Sequence, residues 1–317
     1  MIRRSLALLL TVLLGAVLVA CGDDSGEGSG ETSGSGGAGL ESVEISGEVG
    51  SDPEVTWDGE MQADEIETEV VTEGDGDEVE SGDSVFAHIW IGNGFTQEKA
   101  YSTYDAQEPQ LLTVDEASLS QLFVEGLEGQ TIGSRVAISA SGEVAFGEAG
   151  NTQLNIGNKD GVLTVIDIVS GIEDGPEGED QDAASWVPEL QGDDEAPTGF
   201  DFGGTPAPTD TLRSAALVEG EGATVEKGQT IAVDYLGQVY DGKQPFDESY
   251  TKQPASFPIG VGQVVQGWDQ ALVGQTVGSR VVLAIPPELG YGKAGNEQAG
   301  ITGTDTLYFV VDILGAA

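Results

Sequence analysis

Few side chains in this chain could carry covalent or acid–base chemistry. His88 is the single histidine and Cys21 the single cysteine among 317 residues. A Ser-His-Asp relay needs an imidazole beside its nucleophile, so the second half of the chain cannot build one. Zinc sites draw on sets of Cys and His, which this composition excludes. The stretch GVGQVVQG at 260–267 lacks the dinucleotide-binding spacing, and no βαβ unit surrounds it. DGDEVE at 75–80 lacks the ligand order of a calcium loop. The carboxylates fall mostly in loops, where solvated charge is the default. No cofactor and no metal are expected. What remains is an aromatic set in the second half: Tyr235, Phe246 beside Asp247, Trp268, Tyr291 and Phe309. Such a set can line an apolar hollow with a few polar tips. That chemistry is binding and distortion, without a nucleophile.

The elements that must position these residues are written twice. GQTIGSRV at 129–136 returns as GQTVGSRV at 274–281, an offset of 145. At that offset Gly92 meets Gly237, Pro109 meets Pro254, and Asp167-Ile168 meets Asp312-Ile313. Before about residue 90 the offset is 146: EGDGDEVESGDSV at 73–85 lies over EGEGATVEKGQTI at 219–231. Two homologous domains follow, over 41–172 and 201–317. Between them, 173–200 is dominated by acids. Residues 173–197 hold ten acidic side chains and no basic ones, the composition of a solvated linker. Its Trp186, Val187 and Leu190 leave docking as an alternative. In the second repeat, 229–240, 277–285 and 305–314 read as strands, rich in β-branched and aromatic residues. Only 263–273 shows helical spacing, with Val264, Trp268 and Leu272 on one face. Many strands with one short helix imply an α+β domain in which an antiparallel sheet carries the helix on its concave side.

On VDYLGQVYDGK (233–243), PFDESY (245–250), FPIGVGQVVQGWDQALVGQTVGSRVVLAIPPELGYG (257–292) and DTLYFVVDIL (305–314), the second repeat resembles the FKBP-type peptidyl-prolyl cis-trans isomerases. The stretches run through nearly all of 217–314 in family order. The resemblance implies two curved antiparallel sheets, each wrapped around a short α-helix, with a pocket in the second. It implies Trp268 as the pocket floor, Tyr235, Phe246, Val264 and Phe309 as walls, and Ile301 closing one side. Val265 would offer its backbone N–H and Tyr291 its hydroxyl to the substrate. Asp247 would orient neighbours from the edge. Several positions depart from the family pattern: Ala255 replaces an aromatic, Gln263 a frequent Glu, Asn296 a His, and GKQPFD carries one extra residue. These concern the rim. The implied partners are proline-containing unfolded or exported polypeptides, with macrolides as possible inhibitors. The alternative is a non-catalytic holdase or peptide-binding module.

At the 145-residue offset the first repeat lacks these groups. Trp90 lies over Tyr235, Tyr101-Ser102 over Phe246-Asp247, Phe123 over Trp268, Phe146 over Tyr291 and Thr164 over Phe309. Asp105 could stand for Asp247 only after a three-residue shift. The first domain is therefore expected to keep the architecture and to lack activity.

The first twenty residues place Arg3 and Arg4 before an apolar run that ends Leu18-Val19-Ala20-Cys21. This is the order of a secretory signal, and its end resembles a bacterial lipobox. Residues 1–20 are read as a signal peptide, Cys21 as the lipidated residue, and 21–40 as a Gly/Ser tether. An extracytoplasmic protein, anchored to a bacterial cell membrane by lipid alone, is the expectation. The net charge of −45 with 11 basic residues opposes nucleic-acid binding, which needs Lys and Arg against phosphate.

Overall fold

The computed structural model describes residues 39–317. The expected signal peptide, Cys21 and nearly all of the tether lie outside the described residues. The chain then forms two sheets of matching order. The first half carries β1 (Val43–Ser46), β2 (Glu54–Trp57), β3 (Glu67–Thr72), β4 (Ser84–Asn93), β5 (Glu98–Ser102) and β6 (Gln110–Thr113). Helix α1 (Gln121–Leu127), β7 (Arg135–Ser141), α2 (Gly142–Phe146) and β8 (Gly161–Gly171) complete it. The second half carries β9 (Gly178–Asp180), β10 (Glu189–Gly192), β11 (Pro197–Asp201), β12 (Arg213–Gly220), β13 (Thr230–Val239), β14 (Asp247–Glu248) and β15 (Ala255–Pro258). Helix α3 (Gln266–Ala271), β16 (Arg280–Ile285) and β17 (Leu307–Ala316) follow.

The sheets run β3-β7-β8-β4-β5, with β6 also on β4, and β9-β12-β16-β17-β13-β14, with β15 also on β13. Every pairing is antiparallel. Along β4, Val85 and Ala87 face the core beneath α1, while Phe86 and Trp90 point to the other face. Along β13, Ile231, Val233 and Tyr235 face inward, while Ala232 and Leu236 face outward. Side chains alternate with period two along a strand, so each sheet has a core face and an outer face. Both faces are covered.

The repeated octapeptide is a clasp. Gly133 and Gly278 turn at φ of +92° and +86°, a conformation that disfavours a side chain. Ser134 Oγ accepts from Gly74 N–H at 2.9 Å, and Ser279 Oγ from Gly220 N–H at 2.9 Å. Thr131 and Thr276 donate to the carbonyls of those same two glycines. The arginines that follow are buried and grip Asp167 and Asp312 through two hydrogen bonds each, at 2.6 and 2.7 Å. Planar guanidinium and carboxylate suit such forked pairing. Tyr104 and Tyr250 donate to the outer oxygens of the same two aspartates. Arg135 also donates to the carbonyls of Ser46, Gly47, Glu48 and Ser51. It thereby fastens the β1–β2 hairpin across the sheet.

The reading of 173–200 as a solvated linker is corrected by the structure. Strand β9 pairs with β12 from Val218↔Asp180 to Gly220↔Gly178. The β10–β11 hairpin packs Leu190 and Phe200 on Tyr308, Leu236 and Val310 of the outer face, with Trp186 and Phe202 beside them. Arg280 donates to the carbonyl of Asp194 in its turn, as Arg135 does in the first half. The second domain therefore begins before residue 201. The cause is local: these few apolar side chains all cover one apolar strip on the outer face of the sheet, and the acids face water.

The two halves meet along a seam. Phe86, Leu111, Val169 and Ile172 pack with Ala232, Leu314 and Ala317, and Glu173 N–H donates to Leu314 C=O at 2.8 Å.

Candidate functional site

Helix α3 is shorter than the spacing over 263–273 suggests, and Val264 and Val265 stand before it. Val265 is its N-cap, with φ −58° and ψ 141°. A helix start leaves backbone N–H groups without intrahelical acceptors; that of Val265 donates to none among the described residues. The loop leading to it is pinned by Asp269, whose carboxylate accepts from Gly260 N–H at 2.6 Å and Gly262 N–H at 2.8 Å.

Trp268, 3% exposed, packs in the inner cluster. Three rings stand near right angles to its indole: Tyr235 at 5.4 Å and 87°, Phe257 at 5.7 Å and 89°, and Phe309 at 5.4 Å and 81°. Phe246 meets Phe309 edge-on at 5.6 Å. Edge-to-face contacts are the favoured geometry of aromatic pairs. Here they pack three rings against one indole. Val264, Val265 and buried Ile301 complete the apolar lining. The indole Nε1–H is buried without a partner among the described residues.

Tyr235 hydroxyl donates to Asp247 Oδ2 at 2.6 Å. Burial, then the neighbouring Asp247 carboxylate, raises the Tyr235 phenol well above its ordinary pKa, so it remains a donor. Asp247 itself is exposed. Tyr291 is 37% exposed and lies close to Tyr235. Beneath the wall, Ser249 Oγ accepts from Tyr235 N–H at 2.9 Å and donates to Asp234 Oδ1 at 2.8 Å. Burial raises the Asp234 pKa, opposed by that hydrogen bond.

The structure thus brings Tyr235, Phe246, Val264, Val265, Trp268, Ile301 and Phe309 into one cluster. Asp247 joins it through a hydrogen bond, and Tyr291 stands near its edge. Sequence reasoning missed Phe257, Ser249 and Asp269. Phe257 was legible: it lies two residues beyond Ala255 on β15, hence on the same face. It supplies a ring on the strand where Ala255 lacks one.

The match between the halves needs one correction. Ile89 N–H donates to Thr103 Oγ1 at 2.9 Å, as Tyr235 N–H does to Ser249. Ile91 pairs with Tyr101 and Thr164, as Gly237 pairs with Asp247 and Phe309. The offset is therefore 146 along β4 and β5, and becomes 145 only by β6, where Leu112 opposes Val85 as Phe257 opposes Ile231. Ile89, not Trp90, stands at the place of Tyr235. Ala100 and Tyr101, not Tyr101 and Ser102, stand at Phe246 and Asp247. Trp90 packs on the outer face, and Asp105 pairs with Lys99 at 2.6 Å. A one-residue slip in register exchanges the two faces of a strand, so a constant offset of 145 puts outward-facing Trp90 over inward-facing Tyr235.

Gly237 shows what the correction means. A Cβ there would lie 2.6 Å from both Phe246 Cζ and Phe309 Cε1. The first half has Ile91 at that place, among Ile89, Phe123, Phe146 and Ile156.

Residues 221–314 match the family profile described as FKBP-type peptidyl-prolyl cis-trans isomerase. The chain is 39% identical to a FK506-binding protein of Streptomyces anulatus over 115 residues, covering 36% of this chain and 92% of that protein. It is 42% identical to FK506-binding protein 4 of Gibberella zeae over 95 residues, or 30% of this chain and 19% of that much longer relative. Among solved structures, that of the three FKBP domains of wheat FKBP73 aligns with 80% of this chain and 94% of its own, at 20% identity and a TM-score of 0.32.

Proposed function

The chain belongs, over its C-terminal domain, to the FKBP-type peptidyl-prolyl cis-trans isomerases, and we propose that this domain accelerates X-Pro isomerisation in the hollow over Trp268. The observation that carries the reading is the set of three aromatic rings standing perpendicular to one indole, with the Val265 N–H free at the margin. A barrier of roughly 18–20 kcal/mol protects the peptide bond, because rotation breaks its resonance. The planar amide is the more charge-separated form. An apolar cup that strips water from it raises the planar state relative to the twisted one. The Val265 N–H and the Tyr291 hydroxyl hold the flanking backbone while the imide turns. No bond to carbon changes, so the lack of nucleophiles is no obstacle. Each 1.4 kcal/mol of preferential binding to the twisted form is worth about tenfold in rate.

The first domain keeps the sheet and helix, but Ile91 and its neighbours fill the corresponding hollow. In this reading it has no isomerase activity. The substrates are proline-containing segments of exported proteins, and a pocket-directed macrolide would compete with them. The chain is tethered outside a bacterial membrane by lipid on Cys21. The charged and then apolar N-terminus supports that placement, and fatty-acid labelling lost in Cys21→Ser is its test.

The test of activity is isomerisation of an X-Pro tetrapeptide by the full chain and by Trp268→Leu. Activity in the first and near-solvent rates in the second are expected. Equal rates in both would remove the assignment. Binding of unfolded chains by a parent protein without turnover would favour the holdase alternative.

A further inference from the structure

The first domain touches the second at the margin of the hollow. Gln263, which immediately precedes Val264 and Val265, donates from Nε2 to Glu108 Oε1 at 3.3 Å. Gln253, two residues before β15, donates to Ser118 Oγ at 2.9 Å. Ser118 in turn donates to Asp115 at 2.7 Å, and Asp115 also accepts from Ala117 N–H at 2.7 Å. The two bonds across the domains thus hold the 108–118 edge against both segments that border the hollow on its β15 side. That edge carries Glu108, Asp115 and Glu116, and the chain holds no Lys or Arg between Lys99 and Arg135. Two cations stand on the facing side. Lys252 is paired with Glu248 at 3.3 Å, and the stem of Lys227 lies against Gly260.

We propose that this edge of the first domain extends the binding site of the second, and that it selects X-Pro segments bearing Lys or Arg near the proline. The inference rests on the isomerase reading and deepens it. An extended chain advances about 3.3–3.6 Å per residue, so side chains two or three positions from a proline seated over Trp268 leave the cup and meet its surroundings. On the β15 side those surroundings are carboxylates borrowed from the first domain. The filled hollow of that domain then has a use that needs no catalysis: it carries part of the specificity of its neighbour. Exposed charge pairs contribute up to about 1 kcal/mol, so the expected preference for a cationic over a neutral flank is up to roughly fivefold. It weakens as salt rises, because the screening length falls from about 30 Å at 0.01 M to about 10 Å at 0.1 M.

The experiment uses the full chain and hepta- to nonapeptides identical but for Lys, Gln or Glu at the second and third positions on each side of the proline. The ratio of kcat/KM for Lys over Gln peptides is measured at low and high salt. Three proteins are compared: the parent, Glu108→Gln with Glu116→Gln, and Glu44→Gln with Glu54→Gln on the distant β1–β2 hairpin. The expected result is a ratio above two in the parent, near one in the 108/116 variant, and unchanged in the 44/54 variant. A parent ratio near one overturns the inference. So does an equal fall in both variants, because that would assign the preference to the overall field of an acidic protein. Absence of turnover on the Gln peptide in the parent overturns the isomerase reading itself, and the two failures are thereby distinct.

Discussion

At position 237 a glycine leaves room for two phenyl rings, and at the matching place in the first sheet Ile91 occupies that room. The difference is four carbon atoms, at the place where Phe246 and Phe309 come within 2.6 Å of where a Cβ would lie. Gly237→Ala would set a methyl 2.6 Å from Phe246 and Phe309. Neither ring can retreat freely, since they pack edge-on against each other and Phe309 also abuts Trp268. Overpacking of this kind costs about 1–3 kcal/mol. The expected outcome is a fall in kcat/KM of about tenfold or more, with a lowered urea midpoint and an intact far-UV spectrum. An unchanged kcat/KM would mean that Phe246 and Phe309 do not shape the site. The aromatic residues themselves were legible in the sequence, because their types and order are distinctive. Their counterparts in the first half were not. The inserted residue lies between β5 and β6, in a loop with no apolar pattern to mark it, and the offset on either side differs by one. The strand pairings and the hydrogen bonds of Thr103 and Ser249 fix it.

Among the elements, the outer hairpins were the least legible. The central strands β13, β16 and β17 and the short helix α3 follow from periodicity, and their counterparts in the first half from the repeat. The β10–β11 hairpin is hidden by its composition, since the ten acids of 173–197 outnumber the apolar side chains that bind it. A signal existed on the partner side. Leu236, Val282, Ala284, Tyr308 and Val310 point away from the core and are nonetheless buried. Strands apolar on both faces need a cover on both faces. Phe200, 3% exposed, is the central side chain of that cover. Phe200→Ala is expected to destabilise the second domain by about 3–5 kcal/mol, the usual cost for a buried phenylalanine. Chemical denaturation of the full chain measures it. A change below about 0.5 kcal/mol, typical of a surface site, would return 173–200 to the status of a loose connection.

For the whole molecule, charge and seam oppose each other. Fifty-six acidic against eleven basic residues make the compact state self-repelling. The apolar seam around Phe86 and Ile172 holds the halves together against that repulsion. Raising sodium chloride from about 10 mM to about 0.5 M shortens the screening length several-fold, and Tm is expected to rise across that range. A flat or falling Tm would show that the acids are arranged with little mutual repulsion. The presence of two sheets of like order and the sense of the charge were legible from the sequence, because the repeat is long and the composition extreme. The seam was not, since its residues alternate with core positions on strands already assigned to their own domains.

The order of the strands has one more consequence. In each half, the strand that comes last in the sequence, β8 or β17, lies in the interior of its sheet, between a strand made early and one made late. A ribosome delivering the chain from its N-terminus therefore leaves each sheet split in two until that strand emerges. Contacts so distant along the chain are made slowly. Each half must complete its own sheet in a single late step, and the earlier half can close while the later one is still being synthesised.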